Sequence, residues 1–572
     1  MRKTVLALAA LLVAVALVPT AGARVDRGKP KPRATTTEVQ ILGLNDFHGN
    51  LEPPGGSGGR IGALTAGACV APTCFLAGGV EYLATHVRNL RATNPRNSVF
   101  VSAGDMIGAT PLISALFHDE PTIEAFNLMK LDYAGVGNHE FDEGVDELLR
   151  MQRGGCHPVD GCQDGDPFEG AKFDFLAANG TYKKNDRTIL PPYRIAYFQG
   201  GVKVAFVGMT LEGTPQIVTP AGISNVNFLD EADTVNALVP ELKKKGVETI
   251  VVLLHEGGST SKAGNGAGDA VNISACGTVS GAIPEIVSRM DDEIDVVVSG
   301  HTNWAINCVL DGKIVTGAAS AGRVVTDIDL TIDRKTNDVV SAKVNNAIVT
   351  QDVEKAPDLT ALLGKYATLV APLANRVVGS VPPSGITRAA NAAGESALGD
   401  VIADAQLAAT SPAAFGGAVV AFMNPGGIRA DIAPGEVTYG ELFTVQPFNN
   451  VMQVMTCTGA QIDALLEQQF RSTGNTILQV PDGFTYTWDA AAPLGSRVDI
   501  ASIKIDGTPI AALASYRVAM NNFLAGGGDG FTVFTGCTDP LGGEIDLDVL
   551  VAYFEANSPV APGPQNRITR LN

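Results

Sequence analysis

The chain has 572 residues, of which 45% are hydrophobic and 18% are charged, and its formal net charge is −19 at pH 7. This length and hydrophobic content are enough for sizeable buried cores, which excludes a mostly disordered chain, a collagen-like repeat and a coiled coil. The acidic balance argues against non-specific binding to nucleic acid or anionic lipid, so we expect no nucleic-acid polymer as a partner.

The N-terminus has the pattern of a secretory signal peptide. Basic residues near the start precede an apolar stretch over 5–18, and small residues follow up to Ala23. This pattern predicts a signal peptide over 1–23 and a flexible basic arm over 24–36. The alternative is a membrane-anchor helix, which the short apolar stretch disfavours. No later stretch reaches the ~20 apolar residues of a membrane span. We therefore expect a secreted protein, extracellular or in the cell-envelope space, with no membrane span after cleavage.

From about residue 38 to 351, short β-branched segments alternate with segments of helical periodicity. Such alternation predicts layered α/β structure. The predicted strands are Val39–Leu44, Ser98–Ser102, Ala134–Val136, Val202–Gly208, Thr249–Leu254 and Ile294–Val298. The predicted helices are Val80–Ala92, Pro111–Met129, Val145–Gln152 and Asp230–Lys245.

A helical segment divides the chain into two large parts. Residues 354–377 carry apolar side chains at helical spacing, interrupted by Pro372, which predicts a linker helix. The first domain is then expected over 37–353 and the second over 378–572. Helices of the second domain are predicted near Ser396–Ala409 and Gly459–Gln469.

All eight cysteines lie beyond the predicted signal peptide. An even number in an exported chain favours disulfides over free thiols. Two pairs are close in sequence and can each close a local loop, which leaves two long-range pairs, although eight cysteines allow about a hundred pairings. A zinc–thiolate cluster is the alternative, and the chain has no CxxC pair to support it. The pairs so obtained are Cys69–Cys74, Cys156–Cys162, Cys276–Cys308 and Cys457–Cys537.

Polar residues cluster at the ends of the predicted strands, and four of the seven histidines stand there. Because residues i and i+2 of an extended segment point the same way, Asp46 with His48, and His301 with Asn303, can each aim two ligands at one point. Carboxylate, imidazole and amide groups without thiolate suit Zn, Mn, Fe or Co. The motifs are Asp46-Phe47-His48, Gly104-Asp105, Gly137-Asn138-His139-Glu140-Phe141-Asp142, His255-Glu256-Gly257-Gly258 and Gly300-His301-Thr302-Asn303.

These ligands are too many for one ion and fit two that share a carboxylate. Loops at strand ends are where open α/β sheets place their sites. The alternative is that each histidine is a buried loop residue, and the matching chemistry of five motifs argues against it. The remaining histidines, His86, His118 and His157, lie in no such pattern, and we predict no site for them.

In this order the motifs resemble those of the dinuclear calcineurin-like metallophosphatases, and among them the 5′-nucleotidase / UDP-sugar hydrolase / 2′,3′-cyclic phosphodiesterase family. The resemblance covers nearly the whole chain after the signal peptide. It implies an α/β protein, with a calcineurin-like β-sandwich flanked by helices as the metallophosphatase domain. A second α/β domain, joined by the linker helix, would bind the nucleotide.

The resemblance also implies roles for the residues of the first domain. Asp105 would bridge two divalent ions, and His139, oriented by Asp142, would face the phosphate instead of the metals. Relatives have Asn, Gln or His at the position of Asn303, so the metals (Zn, Mn, Co or Fe) stay open. One ion would be held by Asp46, His48 and Asn303, and the other by Asn138, His255 and His301.

Aromatic and polar residues on Gly-rich loops mark the second domain. Two Phe rings can clamp a flat base, and a nearby carboxylate can accept the ribose hydroxyls. The alternative is that these Phe side chains belong to the core and the glycines to turns. By the resemblance, Phe448 and Phe523 would sandwich the base. Gly394 stands where close relatives have a phosphate-binding Arg, which leaves the phosphate tail open. The predicted substrate-binding residues are Asn424, Arg429, Phe448, Phe523 and Asp529.

The sequence thus predicts a secreted 5′-nucleotidase that uses a metal-activated hydroxide to hydrolyse nucleoside phosphates to nucleoside and phosphate. UDP-sugar or nucleoside diphosphate hydrolysis would extend that activity. A 2′,3′-cyclic-nucleotide phosphodiesterase with 3′-nucleotidase activity is the first alternative. A hydrolase of sulfur-linked substrates and a non-catalytic secreted nucleotide-binding protein are more distant ones. The oligomeric state stays open.

Overall fold

The predicted strands of the first domain assemble into two six-stranded sheets in the computed structural model of the protein. The structure describes residues 35–62, 69–218, 220–261, 272–448, 450–472 and 474–572. The predicted signal peptide (1–23) and all but the last two residues of the predicted arm (24–36) lie outside the described residues.

The first sheet is mixed. Val324–Asp333 pairs antiparallel with Val339–Ile348 on one side and with Thr36–Leu44 on the other. The remaining neighbours pair in parallel. In spatial order its strands are Val339–Ile348, Val324–Asp333, Thr36–Leu44, Ser98–Ser102, Tyr133–Gly135 and Asp174–Leu176.

The second sheet also has a parallel centre, flanked by one antiparallel strand at each edge. In spatial order its strands are Ala305–Leu310, Lys313–Ala318, Ile294–Ser299, Thr249–His255, Lys203–Thr210 and Tyr193–Tyr197.

The two sheets pack face to face. Val39 and Val101 of the first sheet share one buried cluster with Phe206 and Leu253 of the second. The approach is close at Gly208, where an added Cβ would lie 2.1 Å from the carbonyl oxygen of Leu176. The β-sandwich that the family resemblance implies is therefore present.

Helices cover the outer faces of the sandwich. In Val145–Arg153 the buried residues Val145, Leu148 and Met151 recur every three positions, so one stripe faces the core. Asp230 caps Glu231–Lys244, accepting a hydrogen bond from the backbone N–H of Asp233. The helices of the first domain are Val80–Arg91, Leu112–Ala115, Glu120–Met129, Val145–Arg153, Pro220–Ile223, Glu231–Lys244 and Ile283–Arg289.

The single helix predicted over Pro111–Met129 is wrong, because the structure divides it in two. His118 and Asp119 between the two helices have left-handed backbone, with φ of 49° and 61°. The buried Asp119 carboxylate accepts hydrogen bonds from the Ser114 hydroxyl (2.6 Å) and the Gly108 N–H (3.2 Å). These contacts with a distant loop override the local helical pattern.

The predicted linker helix spans Pro357–Ala374 and continues through Pro372 instead of breaking there. Pro372 lies in the last turn, so the helix ends two residues later. Tyr366 on this helix is fully buried. Its hydroxyl donates to Glu124 and Asp164 (both 3.0 Å), which holds the helix against the first domain. The exact domain boundaries stay a prediction.

The second domain contains two four-stranded sheets and covering helices. Thr458 and Gln461 form a capping box at the start of Gly459–Glu467, as Thr438 and Glu441 do for Tyr439–Val445. One sheet consists of Val420–Ala421, Ser515–Asn521, Val451–Thr458 and Thr538–Ile545, and the other of Thr508–Pro509, Lys504–Ile505, Phe484–Asp489 and Ile568–Leu571. The remaining helices are Ala397–Thr410, Asn522–Ala525 and Asp546–Asn557.

The four cysteine pairs obtained from the sequence are the four disulfides of the structure. The bond between Cys457 and Cys537 spans 80 residues and ties a sheet strand to the end of the Gly-rich segment.

Among the described residues, no helix combines the length and the apolar character that crossing a membrane requires.

We expect Tyr366→Phe to destabilise the protein by about 1–2 kcal/mol, because Glu124 and Asp164 lose a buried donor while the ring packing on Phe117 is kept. Thermal unfolding followed by circular dichroism measures the loss. Tyr197→Phe, at a position where the side chain is largely exposed, is the matched control. Equal midpoints for the two variants would contradict the role of the hydroxyl.

Candidate active site

The five strand-end motifs meet at one edge of the sandwich. Thr36–Leu44, Ser98–Ser102 and Tyr133–Gly135 run parallel in one sheet, and Thr249–His255 and Ile294–Ser299 run parallel in the other. Because parallel strands end at the same edge, the loops that follow them converge. The topology therefore brings together side chains that are up to 257 residues apart, as Asp46 and Asn303 are.

Asp105 lies between two groups of ligand atoms. With His48 and His139 it forms one group, and with His255 and His301 it forms the other, each with its ligand atoms within 4.8 Å of one another. Asp105 Oδ2 is 3.0 Å from His255 Nε2 and 3.8 Å from His48 Nε2. The first group includes His139, which is not among the predicted ligands, and the bridging role of Asp105 stays a prediction.

The ring orientation of two histidines is set by backbone carbonyls. His255 Nδ1 is 2.8 Å from the Ala103 oxygen, and His48 Nδ1 is 2.9 Å from the Gly108 oxygen. With the proton on Nδ1, each Nε2 offers its lone pair to the space between the carboxylates. Metal-binding histidines are held in this way by an acceptor behind the ring.

Asn138 joins the second group through its amide oxygen. Its Oδ1 is 3.0 Å from His301 Nδ1 and 3.2 Å from His255 Nε2. The side chain of Asn303 donates to the His301 oxygen at 3.3 Å, which places it beside the same loop. The seven predicted ligands thus lie on converging loops.

Most of the predicted ligands have unusual backbone. Five of the seven adopt left-handed φ angles, which non-Gly residues rarely do and which cost about 1–3 kcal/mol each. Such strain is found where function demands a particular side-chain direction. The five are Asp46 (φ 48°), His48 (47°), Asp105 (48°), His301 (68°) and Asn303 (60°).

The electrostatics of this cluster fit a bound cation. Burial raises the pKa of the Asp46 carboxyl to about 7. One of its oxygens, Oδ1, is buried without a hydrogen-bond partner. Burial also opposes ionisation of Asp105, but the charges of His255 and His139 outweigh it and hold the pKa of that carboxyl below its usual range. A donor set of buried carboxylate, imidazole and amide is suited to divalent metal ions.

His139 is oriented by Asp142, as the sequence predicts. Its Nδ1 is 2.7 Å from Asp142 Oδ2. Burial opposes protonation of the ring, but the negative charges of Asp142 and Asp105 outweigh this and raise the pKa of His139. The other nitrogen, Nε2, is thereby left for a substrate. The ring of His139 packs edge-on against that of His48, with centroids 5.1 Å apart, so it borders the ligand cluster.

Glu140 organises two of the ligand loops, a role that the sequence analysis missed. Its buried carboxylate accepts hydrogen bonds from the N–H groups of Asp105 (3.0 Å), Met106 (2.7 Å) and Gly137 (2.6 Å). It therefore fixes the loops that carry Asp105 and Asn138. Its position next to His139 in the third motif was the available signal.

Asn45 has a similar role at the first motif. Its amide oxygen accepts the Ala318 N–H (2.6 Å), and its Nδ2 donates to Asp46 Oδ2 (2.5 Å) and to the Ala319 oxygen (2.6 Å). The bridge connects the loop of Asp46 to a strand end of the second sheet. Its place directly before Asp46 was the only sequence signal.

Residues of the second domain stand over the ligand cluster. The ring of Phe448 stacks on His139, with centroids 5.8 Å apart and planes 16° apart. The guanidinium of Arg429 lies 5.9 Å from the centre of the Phe448 ring. Burial lowers the pKa of His301 to about 4, and the positive charge of Arg429 acts in the same direction. Arg429 is therefore close enough to the cluster to act on its charges.

The other predicted substrate residues form a hydrogen-bonded group. Asn424 Nδ2 donates to Asp529 Oδ2 at 2.8 Å, and Asn521 Nδ2 donates to Asn424 Oδ1 at 3.1 Å. Phe523 lies against Gly528, where a Cβ would be 2.6 Å from its ring. Phe448 faces His139 and Phe523 faces Gly528, so the two rings have different partners in this structure.

A cavity of about 390 Å³ lies beside Gly394. Gly394 has a φ of 92°, and a Cβ there would be 2.5 Å from Ile477 Cγ1, so this loop conformation does not accept an Arg. Arg388 lines the same cavity, and its guanidinium donates to the Ile428 oxygen at 3.0 Å. Arg388 therefore supplies an arginine side chain to this cavity, although position 394, where close relatives have an Arg, is occupied by Gly.

Comparisons with known proteins agree with this arrangement. The family model of the calcineurin-like phosphoesterases matches residues 39–304, and that of the 5′-nucleotidase C-terminal domain matches residues 374–536. The crystal structure of a 5′-nucleotidase precursor from Thermus thermophilus is similar with a TM-score of 0.74 and 26% identity, covering 94% of this chain and 100% of that one.

Two curated bacterial relatives are longer than this chain. Endonuclease YhcR of Bacillus subtilis is 33% identical over 539 residues, which are 93% of this chain and 41% of the relative. Cell wall protein Lmo0130 of Listeria monocytogenes is 32% identical over 556 residues, covering 91% of this chain and 67% of the relative. With both family models matched in order and the ligand cluster in place, the chain belongs to the 5′-nucleotidase family of calcineurin-like metallophosphoesterases.

Proposed function

We propose that this protein is a metal-dependent 5′-nucleotidase that hydrolyses nucleoside monophosphates to nucleoside and phosphate. The observation that carries the proposal is the contact between the domains, where Phe448 stacks on His139 and Arg429 lies beside it. A binding surface for a nucleotide on the second domain thus adjoins a hydrolytic centre on the first.

Two divalent ions would be held, one by Asp46, His48 and Asn303 and the other by Asn138, His255 and His301, with Asp105 shared. When bound, such a pair activates a water molecule and offsets the negative charge of the phosphoryl group. Asp105 lies close to His48 on one side and to His255 and His301 on the other, which supports its shared role. The donor set admits Zn, Mn, Co or Fe.

His139 acts on the phosphoryl group from the side opposite Asp142. Asp142 accepts Nδ1–H of His139, so in the imidazolium form the second proton, on Nε2, faces the substrate. The negative charges of Asp142 and Asp105 raise the pKa of His139, which favours the imidazolium form. The protonated ring stabilises the negative charge that develops in the transition state, or protonates the departing ribose oxygen.

The second domain recognises the nucleoside. Phe448 and Phe523 supply apolar faces for the base, and the Asp529 carboxylate, held by Asn424, accepts the ribose hydroxyls. The cationic side chain of Arg429 pairs with the phosphate. Because the Gly394 loop excludes an Arg, contacts to a longer phosphate tail fall to Arg388, which lines the adjoining cavity.

We also propose that the protein is exported from the cytoplasm. Four disulfides are typical of proteins that fold in an oxidising compartment. The N-terminal segment has the pattern of a signal peptide, and one relative bears the name of a cell wall protein. The enzyme then acts on nucleotides outside the cytoplasm.

The nucleoside, nucleotide and phosphate products formed from AMP, UDP-glucose, ADP and 2′,3′-cyclic AMP by the chain without residues 1–23, supplied with Mn²⁺ or Zn²⁺ and separated by chromatography, test the proposal. Fastest turnover of AMP is expected. Fastest turnover of the cyclic nucleotide would make the protein a cyclic phosphodiesterase. Bound metal without any turnover would favour a non-catalytic nucleotide-binding protein.

Asp105→Ala is expected to lose its active-site metals and its activity, because Asp105 belongs to both groups of ligand atoms. Metal content measured by mass spectrometry after dialysis checks this. Glu52→Ala, which removes an exposed carboxylate, is the control and should keep its metal. An Asp105→Ala protein with the wild-type metal content would refute the shared-ligand assignment.

His139→Ala is expected to retain its metals and to lose about 10²–10⁴-fold in kcat, the usual effect of removing a positioned proton donor. Steady-state kinetics with AMP and metal analysis on the same sample measure both effects. His86→Ala removes a histidine remote from the cluster and should leave kcat unchanged. Metal loss in His139→Ala would instead make His139 a ligand.

Phe448→Ala is expected to raise KM for AMP roughly 5- to 150-fold, since stacking on an aromatic ring contributes about 1–3 kcal/mol per base. Hydrolysis of p-nitrophenyl phosphate, which has no base, serves as the internal control and should change little. The exposed Phe415 provides the matched variant Phe415→Ala. An equal loss on both substrates would mean that Phe448 acts through His139 and not through the base.

A further inference from the structure

Two histidines without any sequence pattern lie together outside the active site. His118 follows the short helix Leu112–Ala115, and His157 lies in the loop closed by the disulfide Cys156–Cys162. Their rings are stacked, with centroids 3.7 Å apart and planes 15° apart. Both side chains are mostly buried, at 17% and 13% exposure.

Carboxylates flank the stacked pair on both edges. On one edge, Asp160 Oδ2 is 2.9 Å from His118 Nε2 and 3.3 Å from His157 Nδ1. On the other edge, Glu143 Oε2 is 3.1 Å from His118 Nδ1 and 4.0 Å from His157 Nε2. The four side chains come from three separate segments of the chain.

The hydrogen bonds indicate where the ring protons are. His157 Nδ1 accepts the backbone N–H of Asp160 at 3.2 Å, so its lone pair is on the Asp160 edge. Ionised carboxylates only accept hydrogen bonds, so without a metal His118 donates Nδ1–H to Glu143 and Nε2–H to Asp160. His118 Nε2, His157 Nδ1 and Asp160 Oδ2 therefore converge on one edge of the stack, where a divalent cation would take the place of the Nε2 proton of His118.

We propose that His118, His157 and Asp160 form a further divalent-metal site, separate from the active-site ligands, with Glu143 orienting His118 from behind. One ligand atom from each of the three residues lies within 4.8 Å of the other two. Two imidazoles and a carboxylate suit Zn²⁺, and a carboxylate behind a ligand imidazole is a common supporting arrangement.

The site is open to its ligand. The side chains of Asp160 and Glu143 are 44% and 50% exposed, so an ion can enter from solvent.

A metal lies near the plane of each imidazole that binds it, so binding requires the two stacked rings to turn apart. A proton is the competing cation. Burial opposes protonation of His118, but Glu143, Asp160 and Glu147 outweigh it and raise its pKa to about 9.

The site is connected to the active-site loops on two sides. Glu143 directly follows Asp142, which holds His139. Asp119, next to His118, accepts the Gly108 N–H, and the Gly108 oxygen contacts His48 Nδ1. The ion would therefore stabilise the loops that support the active site and would take no part in the chemistry.

Zinc content is the direct test. The full chain, saturated with Zn²⁺ at pH 8 and dialysed, is compared with His157→Gln and Asp160→Asn by mass spectrometry, with His86→Gln as the matched control. We expect each site variant to lose one equivalent of Zn²⁺ relative to wild type and the control to lose none. Equal zinc content in all four proteins would overturn the proposal and leave a pair that binds only protons.

The Asp105→Ala background separates this site from the active site and from the proposed function. In that background, one equivalent of Zn²⁺ should remain and should raise the midpoint of thermal unfolding, whereas Asp105→Ala/His157→Gln should hold none and show no shift. Turnover of AMP by the single variant His157→Gln shows that it is folded. An identical zinc-induced shift with and without His157 would also overturn the proposal.

Discussion

The face-to-face packing of two sheets with parallel centres is the constraint on which the active site depends. Parallel strands from both sheets end at one edge, so the loops that follow them converge there. Gly208 allows the close approach of the sheets, because any side chain there would overlap the Leu176 carbonyl. A rigid sandwich can thus hold side chains at fixed distances although their loops are strained.

That rigidity offsets an unfavourable arrangement of charges. Asp46, Asp105, His48 and His255 are buried together, which is costly without a cation among them. The left-handed backbone of the ligand loops adds to the cost. Glu140 and Asn45 hold those loops by accepting backbone N–H groups, so the arrangement is prepared before a metal binds.

Side chains of the second domain lie directly against the active-site cluster of the first. Phe448 covers His139, and Arg429 brings a positive charge to an acidic protein with a net charge of −19. A local cation of this kind allows an anionic substrate to approach despite the overall charge. The linker helix Pro357–Ala374, held by Tyr366, sets the start of that domain against the first.

The sequence by itself predicted the layered fold and the four disulfide pairs. It also identified the strand-end loops that converge in the structure, because motifs such as Asp46-Phe47-His48 are local patterns. It missed the break at Asp119 and the continuity of the helix through Pro372, where distant contacts or the position in the last turn override local propensity. Only the tertiary structure decided which atoms face one another. It placed Asp105 between two ligand groups and stacked His118 on His157, since such contacts join segments that no periodicity connects.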